Sequence, residues 1–217
     1  MSYQVALFGA GRIGNVHARN VVNHPSTTLV YVVDPVDASA RSLAERFGAL
    51  CVDEAAVFAD PDIAAIVVCS LTSTHAELIE KGIAAGKAVF CEKPIDLDIR
   101  RVRQVLDAID GSDTPLFVAF NRRFDPGVAE AKIRSIERAS GVERDKPKFF
   151  FTDRYAESYA AEWAHFVRVL DGSAVANPTG IDGYRALLLA EAAYLSLAEG
   201  RRVTVAETEA RVLGGAA

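Results

Sequence analysis

Three groups of residues have the types and spacing to do chemistry. In the stretch VFCEKPIDLD (89–98) an apolar run stops at Glu92-Lys93-Pro94, which puts an amine at the mouth of what reads as a buried strand. An ammonium kept from water at a strand end can stabilise an alkoxide, and its pKa can fall far enough for it to exchange a proton. The alternative is an exposed loop lysine paired with Glu92. The second group, Gly9-Ala10-Gly11-Arg12-Ile13-Gly14, closes one apolar run and opens a helical one. The third comprises the four histidines, His17, His24, His75 and His165, and the three cysteines, Cys51, Cys69 and Cys91. The cysteines show no CxxC or Cys/His spacing and sit in or beside apolar runs, so they read as small buried hydrophobes and no metal site is expected.

The glycine pattern has the context of a dinucleotide site. Its first glycine permits a tight turn, its second lets the backbone approach a pyrophosphate, and its third lets helix and strand pack closely. The helix N-terminus offers unpaired N–H groups and a positive dipole end to phosphates. Asp34 ends the next β-like run, 20 residues beyond Gly14. A carboxylate there accepts hydrogen bonds from ribose hydroxyls and repels a 2′-phosphate, so NAD is expected rather than NADP. Glycines used only for a turn are the alternative.

The elements that must position these residues alternate regularly. The runs QVALFGA (4–10), LVYVVD (29–34), ALCV (49–52), IAAIVVCS (63–70), AVFCE (88–92) and PLFVAF (115–120) read as strands, most of them buried on both faces. Helical segments lie between them near 12–23, 38–47, 53–58, 74–85 and 97–109. This alternation predicts an α/β fold: a doubly wound parallel sheet of the Rossmann type, binding ligands beyond the carboxyl ends of its strands. After residue 120 the pattern changes. Helices are expected over 124–139, 153–170 and 181–198, a polar turn-rich stretch over 140–148 and a short final strand at 202–205. Tyr155, Tyr159, Trp163, Phe166, Val167 and Leu170 recur at helical spacing and read as a core-facing stripe. The expected division is a dinucleotide-binding domain over 1–123 and a helical appendage over 124–217.

Composition excludes several classes. Half of the 217 residues are hydrophobic and the net charge is −5, so the chain can bury a core and has no basic tract for nucleic acid. Arg100, Arg101 and Arg103 read as a solvated helix face. No apolar run reaches membrane-spanning length, and MSYQVALFGAG runs into a strand rather than a signal peptide. Free thiols fit a reducing compartment, so a cytoplasmic protein is expected.

Taken together, GAGRIG, the strand ending VVDP, SLTSTHAELI (70–79), CEKPI (91–95) and AFNRRFDP (119–126) resemble the Gfo/Idh/MocA oxidoreductase family, most nearly its NAD-dependent inositol 2-dehydrogenase branch. The segments 149–170 and 180–205 resemble the end of the same family's C-terminal half. The resemblance implies that Lys93 stands beside the nicotinamide and contacts a substrate hydroxyl. It also implies that Ser70, Leu71, Thr72, His75 and Glu92 join Gly9, Gly11, Arg12, Ile13, Gly14 and Asp34 around the cofactor. His75 is read as a cofactor-wall or capping residue before a base. Ser70 and Thr72 either bond the cofactor or cap the helix that follows. Asn121 is a substrate-side candidate, with a small polyol or sugar as substrate, while Arg122 and Arg123 could as easily form structural salt bridges.

One expected feature is absent. The family's Asp-x-x-x-His motif, which supplies a proton-accepting histidine, would lie in a sheet region after the NRRFDP segment. The residues four before the histidines are Ile13, Asn20, Leu71 and Ala161, so the motif occurs nowhere in this sequence. The chain reads as a family member with the central part of its C-terminal half deleted. Three functions follow as candidates: an NAD(H)-binding protein with catalysis weak or lost, an active polyol dehydrogenase relying on Lys93, or an assembly module with structural NAD. His165 is read as a helix-surface or core histidine rather than a replacement base. The chain is expected to be a monomer, or a dimer through the 153–170 helix.

Overall fold

The structure, a computed structural model, describes residues 2–125, 135–138, 141–144 and 154–214. Six strands, β1 (Tyr3–Phe8), β2 (Thr27–Val33), β3 (Leu50–Cys51), β4 (Ile63–Val68), β5 (Ala88–Glu92) and β6 (Leu116–Ala119), form one parallel sheet in the order β3-β2-β1-β4-β5-β6. The connections carry α1 (Arg12–Asn23), α2 (Asp37–Phe47), α3 (Glu54–Ala59), α4 (His75–Ala84) and α5 (Ile99–Ala108). Strand order reverses between β1 and β4, and this switch point opens a crevice at the carboxyl ends of the strands. The strands are apolar throughout because both faces are covered: Ala65 through Val68 are fully buried, with alternate residues feeding separate cores. In α1, Gly14, His17, Ala18 and Val21 lie on the buried face, the helical spacing that lays it along the sheet.

Beyond the sheet, α6 (Ala156–Leu170) and α7 (Gly180–Glu199) pack back onto it, and α8 (Val205–Gly214) packs on α7 and α5. Trp163, Phe166 and Val167 of α6 are buried in the same core as Phe90 and Phe117. Trp163 and Phe166 meet the Phe90 ring edge-on at 5.5 and 5.4 Å, and Phe90 stacks on Phe117 at 5.2 Å. The Trp163 indole N–H donates to Thr27 Oγ1 at 3.3 Å, so its polar atom is satisfied inside the core. On the other face, Tyr184 and Leu188 of α7 join the second core. There α7 starts very close to the sheet: a Cβ on Gly180 would stand 2.5 Å from Leu106 Cδ2. Thr179 and Asp182 cap this helix reciprocally, and Pro178 O accepts the Val118 N–H on the outer side of β6.

Several expectations for the C-terminal half are corrected. Ser135–Arg138 (β7) and Gly141–Arg144 (β8) form an antiparallel pair, where a helix over 124–139 and a turn-rich stretch were expected. Their alternation, SIER and GVER, is too short and too polar to stand out as strand. Residues 121–124 form a 3₁₀ turn, and 126–134 lie outside the described residues. Residues 202–204 are irregular and Val205 begins α8, so the final strand is not formed; Thr204 Oγ1 accepts the Glu207 N–H and starts a helix instead. In the stripe on α6, Trp163, Phe166 and Val167 are buried in the chain's own core, with Tyr155 and Leu170 half-buried at its ends. The large exposed apolar side chains of this half include Leu189, Tyr194 and Leu197 on α7.

If α6 is part of the core that holds the sheet together, Trp163→Ala should destabilise the whole chain by about 3–5 kcal/mol, the range for emptying a large aromatic site. Urea unfolding followed by far-ultraviolet circular dichroism should show one transition moved to lower urea. A separate early transition, with the sheet unaffected, would show that α6 is only an appendage.

Candidate functional site

The turn between β1 and α1 is built by two glycines under steric compulsion and one that is not. Gly9 has a φ of +102°, and a Cβ there would lie 2.5 Å from the Cys69 backbone at the end of β4. A Cβ on Gly14 would lie 1.9 Å from Gly9 O, so only glycine lets α1 sit this close to the turn. At Gly11 a Cβ would meet nothing within 4 Å. Gly11 is also the N-cap of α1, without a side-chain cap and without an acidic residue in the first turn. The chain therefore leaves open space and uncapped N–H groups at the positive end of a helix dipole, the arrangement that suits a pyrophosphate.

Asp34 joins the second strand to this turn. Its Oδ2 accepts the Ala10 N–H at 2.7 Å and its Oδ1 accepts the Val36 N–H at 2.8 Å. A carboxylate has about four acceptor positions, so two backbone bonds fix its orientation and leave capacity for ribose hydroxyls. Arg12 and Leu71 stand exposed at the edges of the crevice, Leu71 at 74% exposure.

A cavity of about 400 Å³ opens beside the turn, lined by Ile13, Cys69, Ser70, Thr72, His75, Glu92, Lys93 and Tyr159. Six of these were expected at a cofactor site from the sequence. His75 is 2% exposed, with Nδ1 at 2.8 Å from Pro94 O and Nε2 at 3.1 Å from Ser70 O. Held between two carbonyls, it ties the end of β4 to the Lys93-Pro94 turn and is a wall residue. Ser70 Oγ pairs with Thr74 Oγ1 at 2.7 Å, and Thr74 Oγ1 donates to Leu71 O, which shapes the start of α4.

Lys93 departs from expectation in two ways. It is exposed at the cavity rim rather than desolvated, and it does not pair with Glu92. Glu92 points inward instead: its Oε1 meets Nε2 of the fully buried His17 at 2.8 Å. Asn121 is not among the cavity-lining residues; its amide donates to Ser158 Oγ at 3.3 Å, so it braces α6. Arg123 takes the structural option, pairing with Asp182, while Arg122 lies over the Tyr155 ring. His165 is half-buried against Phe117 and Phe124, near Val175 O and Arg168, and does not line the cavity.

Sequence reasoning missed three contributors. Tyr159 was assigned only to the α6 core stripe, yet it lines the cavity and meets the His17 ring edge-on at 5.6 Å. His17 lies one turn after Gly14 on the buried face of α1, a placement the helical period alone could have flagged. Glu162 is fully buried on α6, and neither of its carboxyl oxygens has a hydrogen-bond partner. Its pKa lies well above the ordinary carboxylate value, chiefly from desolvation and secondarily from the negative field of Glu92. Burial and the same carboxylates push the Tyr159 hydroxyl up, and desolvation keeps the Cys69 thiol protonated. Among the described residues no cluster of His, Cys, Asp and Glu is arranged to hold a metal, and no helix is long and apolar enough to cross a membrane.

A reversed parallel sheet, an open glycine turn on a helix N-terminus and an acidic residue ending the second strand define an NAD-binding Rossmann oxidoreductase domain. Residues 3–120 match the model of the Gfo/Idh/MocA oxidoreductase family, NAD-binding Rossmann fold, and the chain belongs to that family. An inositol 2-dehydrogenase of Rhizobium meliloti strain 1021 is 42% identical over 152 residues, covering 67% of this chain and 46% of that protein. The chain thus spans about half the length of the curated relatives it matches. A myo-inositol dehydrogenase structure from Corynebacterium glutamicum superposes with a TM-score of 0.81 at 27% identity, over 93% of this chain and 98% of that one. That extent carries the likeness past the sheet into the C-terminal helices. A myo-inositol dehydrogenase of Lactobacillus casei, solved with NAD(H) and myo-inositol, superposes with a TM-score of 0.57 at 26% identity, over 60% of this chain and 40% of that one.

Two measurements follow. Gly11→Val should leave the melting temperature near that of the parent and weaken NADH binding at least tenfold by fluorescence titration, because the added side chain enters the space left for the phosphates. Gly14→Val should instead fail to fold stably. The second concerns pH. Native Glu162 holds its proton to higher pH than the unfolded chain does, so its contribution favours folding at low pH and is lost as pH rises above the ordinary value of 4.5. Glu162→Gln should therefore gain stability relative to the parent as pH rises from 4.5 towards neutrality, in urea melts at a series of pH values. A stability difference independent of pH would refute the assignment.

Proposed function

We propose that this chain is an NAD(H)-binding protein of inositol- or sugar-dehydrogenase descent whose own catalytic step is weak or lost. Bound NAD⁺ would supply a hydride acceptor for a secondary alcohol. The residues proposed to hold it are the Gly9–Gly14 turn for the pyrophosphate, Asp34 for the ribose, and Ser70, Thr72, His75, Glu92 and Lys93 along the nicotinamide end. A small polyol is the substrate class suggested by what the relatives act on.

The observation that carries this reading is the state of the proton-handling groups. Lys93 stands in water at the rim, where solvent screens its charge. His75 has both ring nitrogens turned to carbonyls, and His17 lies behind Glu92. Among the described residues no histidine faces the cavity with a free nitrogen. A positioned general base contributes roughly two to four powers of ten in rate. Losing it together with a substrate wall would cost more, because orientation is lost too.

The reading is tested by following NAD⁺ reduction with a panel of inositols and sugars, alongside NADH binding, in the parent and in Lys93→Ala. The expected result is NADH binding in both proteins and little or no turnover in either. Turnover in the parent that disappears in the variant would favour the second reading, an active polyol dehydrogenase in which Lys93 alone handles the proton.

A further inference from the structure

Behind the cavity wall lies a set of buried polar atoms that the proposed function does not use. Glu162 of α6 is fully buried with both carboxyl oxygens lacking hydrogen-bond partners. Across from it on α1, His17 is fully buried, with Nε2 committed to Glu92 and Nδ1 lacking a partner. Asn20, one turn further along α1, has its buried Nδ2 without a partner as well. The two helices pack together, and the His17 and Tyr159 rings are in edge contact between them. Orphaned buried polar atoms are rare and costly, and a group of them on facing elements marks an internal water or a functional network.

The orphans match in kind. A His17 that donates from Nε2 to Glu92 has an acceptor lone pair at Nδ1. Glu162 in its protonated form has one O–H to give and one carbonyl oxygen to receive, and Asn20 Nδ2 can only give. A carboxylic acid facing an imidazole acceptor and an amide donor can satisfy them through an internal water. The outer end of the chain is Glu92, which lines the cavity next to Lys93. The other titratable groups that feel Glu162 are Tyr159, three residues earlier on α6, and Cys69, just past the end of β4.

We propose that Glu162, His17 and Glu92 form one proton-holding relay, closed on its inner side by Asn20, that exchanges a proton with the cofactor cavity beside Lys93. The proposal rests on the reading of that cavity as the nicotinamide end of an NAD site. A cationic ring against Glu92 favours loss of a proton from the relay, and a neutral ring favours its return. For whatever weak alcohol oxidation the chain retains, the exchange balances: secondary alcohol, NAD⁺ and the deprotonated relay give ketone, NADH and the protonated relay. The hydride leaves the carbinol carbon with both electrons, and the hydroxyl proton is the one the relay takes up. Glu162 touches neither substrate nor cofactor and acts through His17 and Glu92, so it is a positioning residue.

The test measures protons released on NAD⁺ binding, with a pH indicator in weakly buffered solution. Three full-length proteins are compared: the parent, Glu162→Gln, which keeps the shape but cannot titrate, and His17→Gln. The parent should release a measurable fraction of a proton per NAD⁺ bound and less with NADH, and both variants should bind NAD⁺ with the release abolished. Equal release from parent and Glu162→Gln would overturn the relay. A parallel infrared measurement should show a protonated carboxyl band that is missing in Glu162→Gln and displaced in His17→Gln; a band indifferent to His17 would also overturn it. If neither NAD⁺ nor NADH binds, the cofactor reading fails on its own, and the infrared result still decides whether the buried groups are coupled.

Discussion

The contact between α6 and the sheet is the constraint on which the rest of this molecule depends. Trp163 and Phe166 close over Phe90 and Phe117, and those four rings fill one core between β5, β6 and α6. Because Trp163 is anchored through Thr27, whose hydroxyl donates to Val21 O, the helix is also fixed in register against α1 and β2. That register delivers Tyr159, one turn before Trp163, to the cavity and Glu162, the residue before Trp163, to the interior. A helix that serves as packing at one end thus supplies polar chemistry at the other.

The carboxyl ends of β4 and β5 are held by a second set of contacts. His75 bridges the carbonyls of Ser70 and Pro94, and Gly9 lets the first turn lie against the Cys69 backbone. Asp34 brings in the end of β2 through the Ala10 N–H. The cavity is therefore framed on this side by backbone groups with few degrees of freedom. At the cavity rim stands Lys93, exposed to water. Preorganisation, which makes fixed dipoles effective in catalysis, is present where these backbone groups frame the cavity.

How much of this was readable in advance follows from which interactions are local. Buried parallel strands announce themselves as unbroken apolar runs, and the glycine turn carries its steric reason in three positions, so the sheet and the cofactor turn were legible. Asp34 was legible by its distance from Gly14. The direction of a side chain at a strand end was not: Glu92 and Lys93 are adjacent, one turned inward to His17 and the other out to water. That choice depends on a histidine 75 residues away, which no periodicity reveals. Glu162 was hidden for a related reason, since a glutamate at helical spacing beside an aromatic stripe looks like the edge of a solvated face. The β7–β8 pair and the start of α8 escaped because short polar strands and a Thr-capped helix carry little apolar pattern.

The order in which the core is completed has a consequence for how the chain is made. All six parallel strands exist once residue 119 has been synthesised, but the helix that covers Phe90 and Phe117 ends only at residue 170. At about 5–20 residues per second, the ribosome leaves that aromatic face uncovered for roughly 3–10 s. During this interval a nearly complete sheet presents the surface that a holdase chaperone, or another nascent chain, would bind. Slow codons between these two points would lengthen the exposure without altering a single residue of the finished protein.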